Sequence, residues 1–167
     1  MVEIRRGQSE DVLACLNLAL DLIGPRRGRP FIQTALDREQ LLVASDAGNV
    51  VGFLVYRTDW FNCTFVSLVV VTQDYRRKGV ARALYQAVEE ESAHPRLFSS
   101  TDETNAASIR MHSALGFTPS GHIDNLPQGY RELLFYKRLV DRMGDERDRV
   151  TVFGDLAEAY DVRPQKP

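Results

Sequence analysis

Several things are scarce or missing in this chain of 167 residues. It has two cysteines, Cys15 and Cys63, in unrelated segments and without the paired spacing that holds a metal. Free, buried thiols are expected rather than a disulfide, because disulfides are rare in the reducing cytosol. No apolar run approaches the roughly 20 residues that a membrane helix needs. The opening Met-Val-Glu-Ile-Arg-Arg lacks a signal-peptide core. A cytoplasmic protein with no membrane partner is therefore expected. Neither sign of charge dominates: 21 Lys and Arg stand against 23 Asp and Glu, for a net charge of −2. No overall basic field argues for nucleic acid. There is no internal repeat and no low-complexity tract. With 44% apolar and 26% charged residues, the chain suits one globular domain with a real core.

The rest of the chain is organised around residues 64–85. A run rich in β-branched and apolar residues, 65–71, reads as a strand buried on both faces. A polar turn, 72–74, leads to the basic loop Arg76-Arg77-Lys78-Gly79. A helical stripe of Val80, Ala81, Leu84, Ala87 and Val88 follows. The first amides of a helix have no partner within it, and the helix dipole places partial positive charge there. Gly79 admits a close approach to the backbone, Ala81 adds little bulk, and three basic side chains add full charge. Strand, basic glycine loop and helix together make a candidate site for a phosphate or diphosphate. The loop is not a Walker motif, since the Gly-Lys-Ser/Thr ending is missing, and it lacks the G-x-G-x-x-G of a dinucleotide site.

Arg76-x-x-Gly79-x-Ala81, directly after an apolar strand, resembles the acyl-CoA loop (Q/R-x-x-G-x-G/A) of the GNAT superfamily of N-acetyltransferases. A second segment, Asn105-Ala-Ala-Ser108-Ile-Arg-Met-His112-Ser-Ala-Leu-Gly116-Phe117, resembles the later helix of that superfamily and its Leu-Gly-Phe turn. The resemblance covers roughly residues 2–139. The Ser108 and His112 variant is most similar to the branch of phosphinothricin-type amino-acid acetyltransferases.

Read in order, residues 2–5 form a first strand, and Ser9 offers a cap to a helix with Glu10 and Asp11 in its first turn. Its apolar stripe ends at Gly24-Pro25. Residues 25–30, basic and stiff, read as a solvated loop or as a rim that attracts an anionic acceptor or a CoA phosphate. A short helix over 31–37 follows, then a hairpin of 41–45 and 50–57 around residues 46–49. Residues 58–62 are a connection whose Trp60 and Phe61 either wall an acceptor pocket or dimer contact, or plug the core edge. The helix after the basic loop runs to about Ala93, with Glu89, Glu90 and Glu91 as a solvated face. A short strand, 96–99, and a polar turn, 101–105, precede the next helix, capped by Thr104 or Asn105. Ser108, Met111, His112 and Leu115 share one face of it. Phe117 onward and residues 131–139 supply the last strands. This order predicts an α/β or α+β sheet with helices on both faces. The resemblance sharpens it to a GNAT-like, mixed but mostly antiparallel central sheet. Residues 1–140 form the acetyltransferase-like domain. Residues 141–167, with a weak helical segment at 153–160, form an appendage that leaves room for a homodimer.

The resemblance implies acetyl-CoA as cosubstrate, lying where the central strand splays from its neighbour. Its pantetheine arm would pair with the backbone of Leu68, Val69, Val70 and Val71. Its diphosphate would rest on the amides of Arg77, Lys78, Gly79, Val80, Ala81 and Arg82, beside Arg76. Asn105 and Ser108 would contact it from the later helix. The reaction implied is direct acetyl transfer to an amine, with a small-molecule amine as partner. An attacking amine must shed a proton, and the developing oxyanion needs a donor, for which an amide near residues 69–71 would serve. Many relatives place a tyrosine acid on the later helix; here His112 stands there, read either as the acid-side residue or as a satisfied core histidine. Some relatives carry a glutamate on the central strand. Here Phe65, Ser67 and Val69 alternate along one face without a carboxylate. Asp102, Glu103 and Asp59 are the substitutes, each otherwise a turn or cap residue, and a water relay is a further route. Two other functions remain open: a non-catalytic acyl-CoA-binding regulatory module, and acetylation of a peptide or protein N-terminus.

Overall fold

Period-two and period-3.6 patterns become strands and helices largely where the sequence places them, in a computed structural model that describes residues 1–139. The expected appendage, 141–167, and its helical segment lie outside the described residues. The elements are β1 (Glu3–Arg6), α1 (Asp11–Asp37), β2 (Leu41–Asp46), β3 (Asn49–Trp60), β4 (Cys63–Val71), α2 (Val80–Glu91), β5 (Arg96–Asp102), α3 (Ala106–Ala114), β6 (Thr118–Ile123) and β7 (Glu132–Arg138). A single 3₁₀ turn, Gln73–Tyr75, links β4 to the basic loop. The seven strands form one sheet in the order β1-β2-β3-β4-β5-β7-β6. Every neighbouring pair is antiparallel except β4 and β5. The mixed, mostly antiparallel sheet with helices on both faces is thus observed.

The core is split by the sheet. On one face, Val12, Cys15, Ala19, Ile32 and Ala35 of α1 pack on Leu41, Val43, Phe53, Val55 and Val70. On the other, Val80, Leu84, Tyr85 and Val88 of α2 pack on Leu42, Leu54, Val66 and Leu97, with Leu115, Phe117 and Phe135 completing the cluster. Both cysteines are free and buried. Burial drives the Cys15 thiol up to about 12, so it is an inert apolar filler.

Five local expectations are corrected. The first helical segment ends at Gly24 as expected, with φ 66° and ψ 162°, but a second segment starts at once and carries α1 on to Asp37. Pro25 opens the second segment, a position where its missing N–H is not needed. Residues 25–30 are therefore helical rather than a loop. Gly28 is buried against Leu16, where a Cβ would come within 2.6 Å of that side chain. Ser9 is not the cap of α1. Asp11, 4% exposed, closes the first turn by accepting from the Gln8 amide at 2.8 Å and from Arg5 at 2.7 and 2.9 Å. Residues 58–60 are not a connection but the end of β3, and the turn is Phe61 and Asn62, both at positive φ (49° and 53°), as a two-residue hairpin of this twist requires. The acidic run at the end of α2 is not a purely solvated face. Glu89 takes Lys137 at 2.6 Å, and Glu91 takes Arg6 at 3.2 Å and the Tyr56 hydroxyl at 3.0 Å.

β4 departs from the expected alternation as well. Its register against β3 steps from Val66↔Tyr56 to Leu68↔Val55, so Ser67 is the extra residue of a β-bulge. The bulge flips the alternation. Val69 and Val71 face the α2 side with Val66, while Leu68 and Val70 face α1. Phe65, Ser67 and Val69 therefore do not share a face. The strand is also less enclosed than a doubly buried one, because its second half loses a neighbour, as described next.

Candidate active site

β4 and β5 pair over three rungs only, Thr64↔Leu97, Phe65↔Phe98 and Val66↔Ser99. Beyond them the two strands part. β4 stays paired with β3 as far as Val71↔Gly52, and β5 stays paired with β7 as far as Asp102↔Glu132. Along Leu68, Val69, Val70 and Val71, every second residue therefore points its amide and carbonyl into the gap. The bulge at Ser67 sits at the point of divergence, where extra twist re-aims a strand.

The open end of the fork leads into the basic loop. Tyr75 is tied back by its hydroxyl, which donates to Asp46 at 2.8 Å. Lys78 lies over the Tyr75 ring at 5.3 Å. Arg76 donates through Nε to the Val71 carbonyl at 3.1 Å, clamping the loop to the end of β4. Arg77 and Gly79 take positive φ (62° and 84°), and the turn delivers the chain directly into α2. No side chain caps this helix, and the first bond across its start runs from Ala83 N to Gly79 O at 2.9 Å. The amides of Val80, Ala81 and Arg82 therefore have no acceptor within the helix. A Cβ placed on Gly79 would meet no atom within 4 Å. The space above the loop is open, and the positive φ, not crowding, is what requires glycine. This is a ready cradle for a diphosphate. The Arg82 side chain points elsewhere, donating to the Ala114 carbonyl at the end of α3 at 3.1 Å.

The second motif folds as α3. Asn105 is its cap, with Oδ1 accepting from the Ser108 amide at 3.0 Å. Gly116 follows the helix end with φ 84°, the left-handed stop expected there. His112 is 1% exposed. Its Nδ1 lies 2.8 Å from the Ser108 carbonyl and its Nε2 lies 2.8 Å from the Ser99 hydroxyl. Its ring stacks on Phe135 at 4.5 Å. Burial pushes the imidazole below its ordinary value, so the neutral form is favoured. His112 is thus buried with both ring nitrogens engaged.

The carboxylates expected near the site are engaged. Asp102 accepts from the Thr104 amide at 2.9 Å and from its hydroxyl. Glu103 accepts from the Arg131 amide at 3.1 Å and pairs with its guanidinium at 3.5 Å. Asp59 pairs with Arg57 at 2.6 Å on the surface. Trp60 packs at 4.8 Å on Phe65 and 5.0 Å on Phe98, with Phe61 exposed beside it. That row lies at the closed end of the fork, away from the cradle. Ser99 and Tyr85 carry no motif signal in the sequence: Tyr85 stands beside the apolar stripe of α2 and Ser99 within a short strand, and neither position signals that the two meet.

Residues 16–117 match the model of the acetyltransferase (GNAT) family. The chain belongs to this family. Among solved structures, it is similar to a GNAT-family acetyltransferase from Bacillus cereus, with 31% identity and a TM-score of 0.76, covering 83% of this chain and 97% of that one. The fold also matches yncA from Salmonella typhimurium, whose structure holds its cofactor acetyl-CoA, with a TM-score of 0.72 at 18% identity over 86% and 97% of the two chains. Among curated proteins, the L-methionine sulfoximine/L-methionine sulfone acetyltransferases of Pseudomonas aeruginosa and Pseudomonas paraeruginosa are 37% identical over 99 residues. That match takes in 54% of this chain and spans just over half, 57%, of their length. Acetyl-CoA is the cofactor of the GNAT family. The uncapped start of α2, the open space over Gly79 and the unpaired edge of β4 fit its diphosphate and its extended arm.

Proposed function

We propose that this GNAT protein moves an acetyl group from acetyl-CoA directly to the primary amine of a small molecule. The fork carries this reading: a strand edge freed at residues 68–71 runs straight into an uncapped helix start. When bound, acetyl-CoA supplies the activated acetyl group. The amides at residues 77–82 hold the diphosphate, with Arg77 and Lys78 adding charge that needs no geometric precision. The gap-facing groups of β4 orient the arm, and an amide near residues 69–71 donates to the acetyl oxygen as negative charge develops there. β4 carries no carboxylate, and Asp102 and Glu103 are held in their turn. The proton shed by the amine therefore leaves through water on the free strand carbonyls. As the new C–N bond forms, the C–S bond breaks, and the departing CoA thiolate takes up a proton from that water and leaves as the free thiol. His112, buried with both nitrogens engaged, supports this chemistry from outside the reacting atoms.

An α-amino acid or a close analogue is the favoured acceptor. The support is the Pseudomonas relatives, whose substrates carry a free α-amino group. Arg26, Arg27 and Arg29, exposed in the first turns after the α1 kink, would suit the acceptor carboxylate. Thiol release from acetyl-CoA with a panel of amines, methionine sulfoximine among them, is expected to show amine-dependent turnover. The lack of a carboxylate on β4 and the engagement of Asp102 and Glu103 favour one other reading, an acyl-CoA-binding module without turnover. Tight acetyl-CoA binding with no thiol release for any amine or N-terminal peptide would establish that reading instead.

A further inference from the structure

Ser99 occupies the last rung before the sheet divides, opposite Val66. It is buried, and its hydroxyl meets two partners on two different helices. One is the Tyr85 hydroxyl of α2 at 2.9 Å, and the other is His112 Nε2 of α3 at 2.8 Å. The Tyr85 hydroxyl also lies 3.4 Å from His112 Nε2, and the hydrogens are assigned on the shorter contacts of the cluster. The Ser108 carbonyl only accepts, so His112 Nδ1 carries the hydrogen of their 2.8 Å contact. Nε2 is then an acceptor, and the Ser99 hydroxyl donates to it. The Ser99 oxygen in turn accepts from Tyr85, whose phenol burial pushes up to about 12 and so keeps protonated. Tyr85, Ser99, His112 and the Ser108 carbonyl form one directed chain in which each hydrogen is used once. Buried polar groups satisfied this fully rigidify what they join.

What they join is specific. α2 begins with the anion cradle, β5 is one wall of the fork, and α3 lies over the wall on the same face as α2. Tyr85 is six positions beyond Gly79, less than two turns from the cradle. We infer that Tyr85, Ser99 and His112 form a positioning pin that holds the cradle of α2 in register with the divided strands. The inference rests on acetyl-CoA being the ligand, because only a ligand that spans cradle and fork is sensitive to their relative placement. A ligand confined to the cradle is not. The three residues touch no reacting atom.

The test is calorimetric titration of wild type, Tyr85→Phe and Ser99→Ala with two ligands, acetyl-CoA and its 3′-phosphoadenosine 5′-diphosphate half. Tyr85→Phe removes one oxygen and leaves Ser99 and His112 paired, so the fold is retained. For it, acetyl-CoA binding should weaken roughly three- to tenfold, the size of one net hydrogen bond. The half-ligand should bind as it does to wild type. Ser99→Ala should give the same split with a larger loss. Equal weakening of both ligands would reduce the cluster to a packing role and overturn the pin, as would unchanged binding of both. If wild type binds neither ligand, the cofactor reading falls and the pin with it. Nitrogen shifts of the His112 ring give an independent check without ligand: the hydrogen should sit on Nδ1, and finding it on Nε2 would also overturn the pin.

Discussion

α2 and α3 lie on the same side of the sheet and begin in opposite ways. α3 closes its own first turn, with Asn105 accepting from the Ser108 amide at 3.0 Å. α2 starts at a glycine with no side chain to accept from its amides. Both starts are polar and both follow a strand, so composition alone does not separate them. The difference is whether the orphan amides are satisfied from within the chain. A helix that caps itself is finished, whereas one that leaves its amides bare, next to three basic side chains, is built to be completed by an anion. α1 adds a third case, sealed still more firmly by the Asp11 carboxylate and its double contact with Arg5.

Substitutions at these starts should therefore fail in different ways. The largest effect is expected for Gly79→Glu, which sets a carboxylate in the open space over the cradle. Acetyl-CoA affinity should fall on the order of 100-fold or more. Stability should drop by only about 1 kcal/mol from the positive φ, so calorimetry and a urea melt on one sample would divide the two. A mutant that binds normally would remove the cradle from the site. Next comes Asp11→Asn, which should cost about 2 kcal/mol of stability, below the full value for a buried pair because Arg5 is part-exposed. Arg5 holds the Asp11 carboxyl below its ordinary value of 3.8. Its contribution is present above that value and is lost as pH falls through the lowered one. An acid melt of the mutant should lack that component.

Asn105→Ala should cost about 1 kcal/mol, the usual worth of a cap, and leave acetyl-CoA binding within about twofold of wild type. A large loss of binding would show that Asn105 serves the ligand as well as the helix. The smallest effect is a pH trend. The imidazole of His112 is pushed below its ordinary 6.5 by burial, so its neutral form stabilises the fold fully above 6.5. That contribution fades as pH falls toward the lowered value. A denaturant series from pH 7.5 to pH 5.5 should show a decline that His112→Phe abolishes.

How far these features are legible in the sequence depends on how local they are. The strand, basic loop and helix of residues 64–85 follow from period and charge. The Asn105 cap and the Gly116 stop are likewise local, set by residues three or four apart. The bulge at Ser67 is not: it exists because Tyr56 and Val55 of another strand take Val66 and Leu68 as partners. The same holds for the continuation of α1 past Gly24, where Gly28 fits against Leu16. A glycine followed by a proline ends a helix in isolation, and tertiary packing restarts it. The stripe containing His112 correctly marks a buried face. Its two partners come from Ser99, thirteen residues away, and from its own helix, and no spacing rule announces that.

The division of the sheet has one more consequence. Most proteins keep their strand edges at the rim, where a charge or a bulge can blunt them. This one carries an open edge through its middle, along residues 68–71, flanked by paired strands on either side. In the ligand-free protein, an amide isotope-exchange map should therefore be inverted. A line of fast-exchanging sites should run up the centre of the sheet, between slower amides of β3 and β7, and bound acetyl-CoA should erase it.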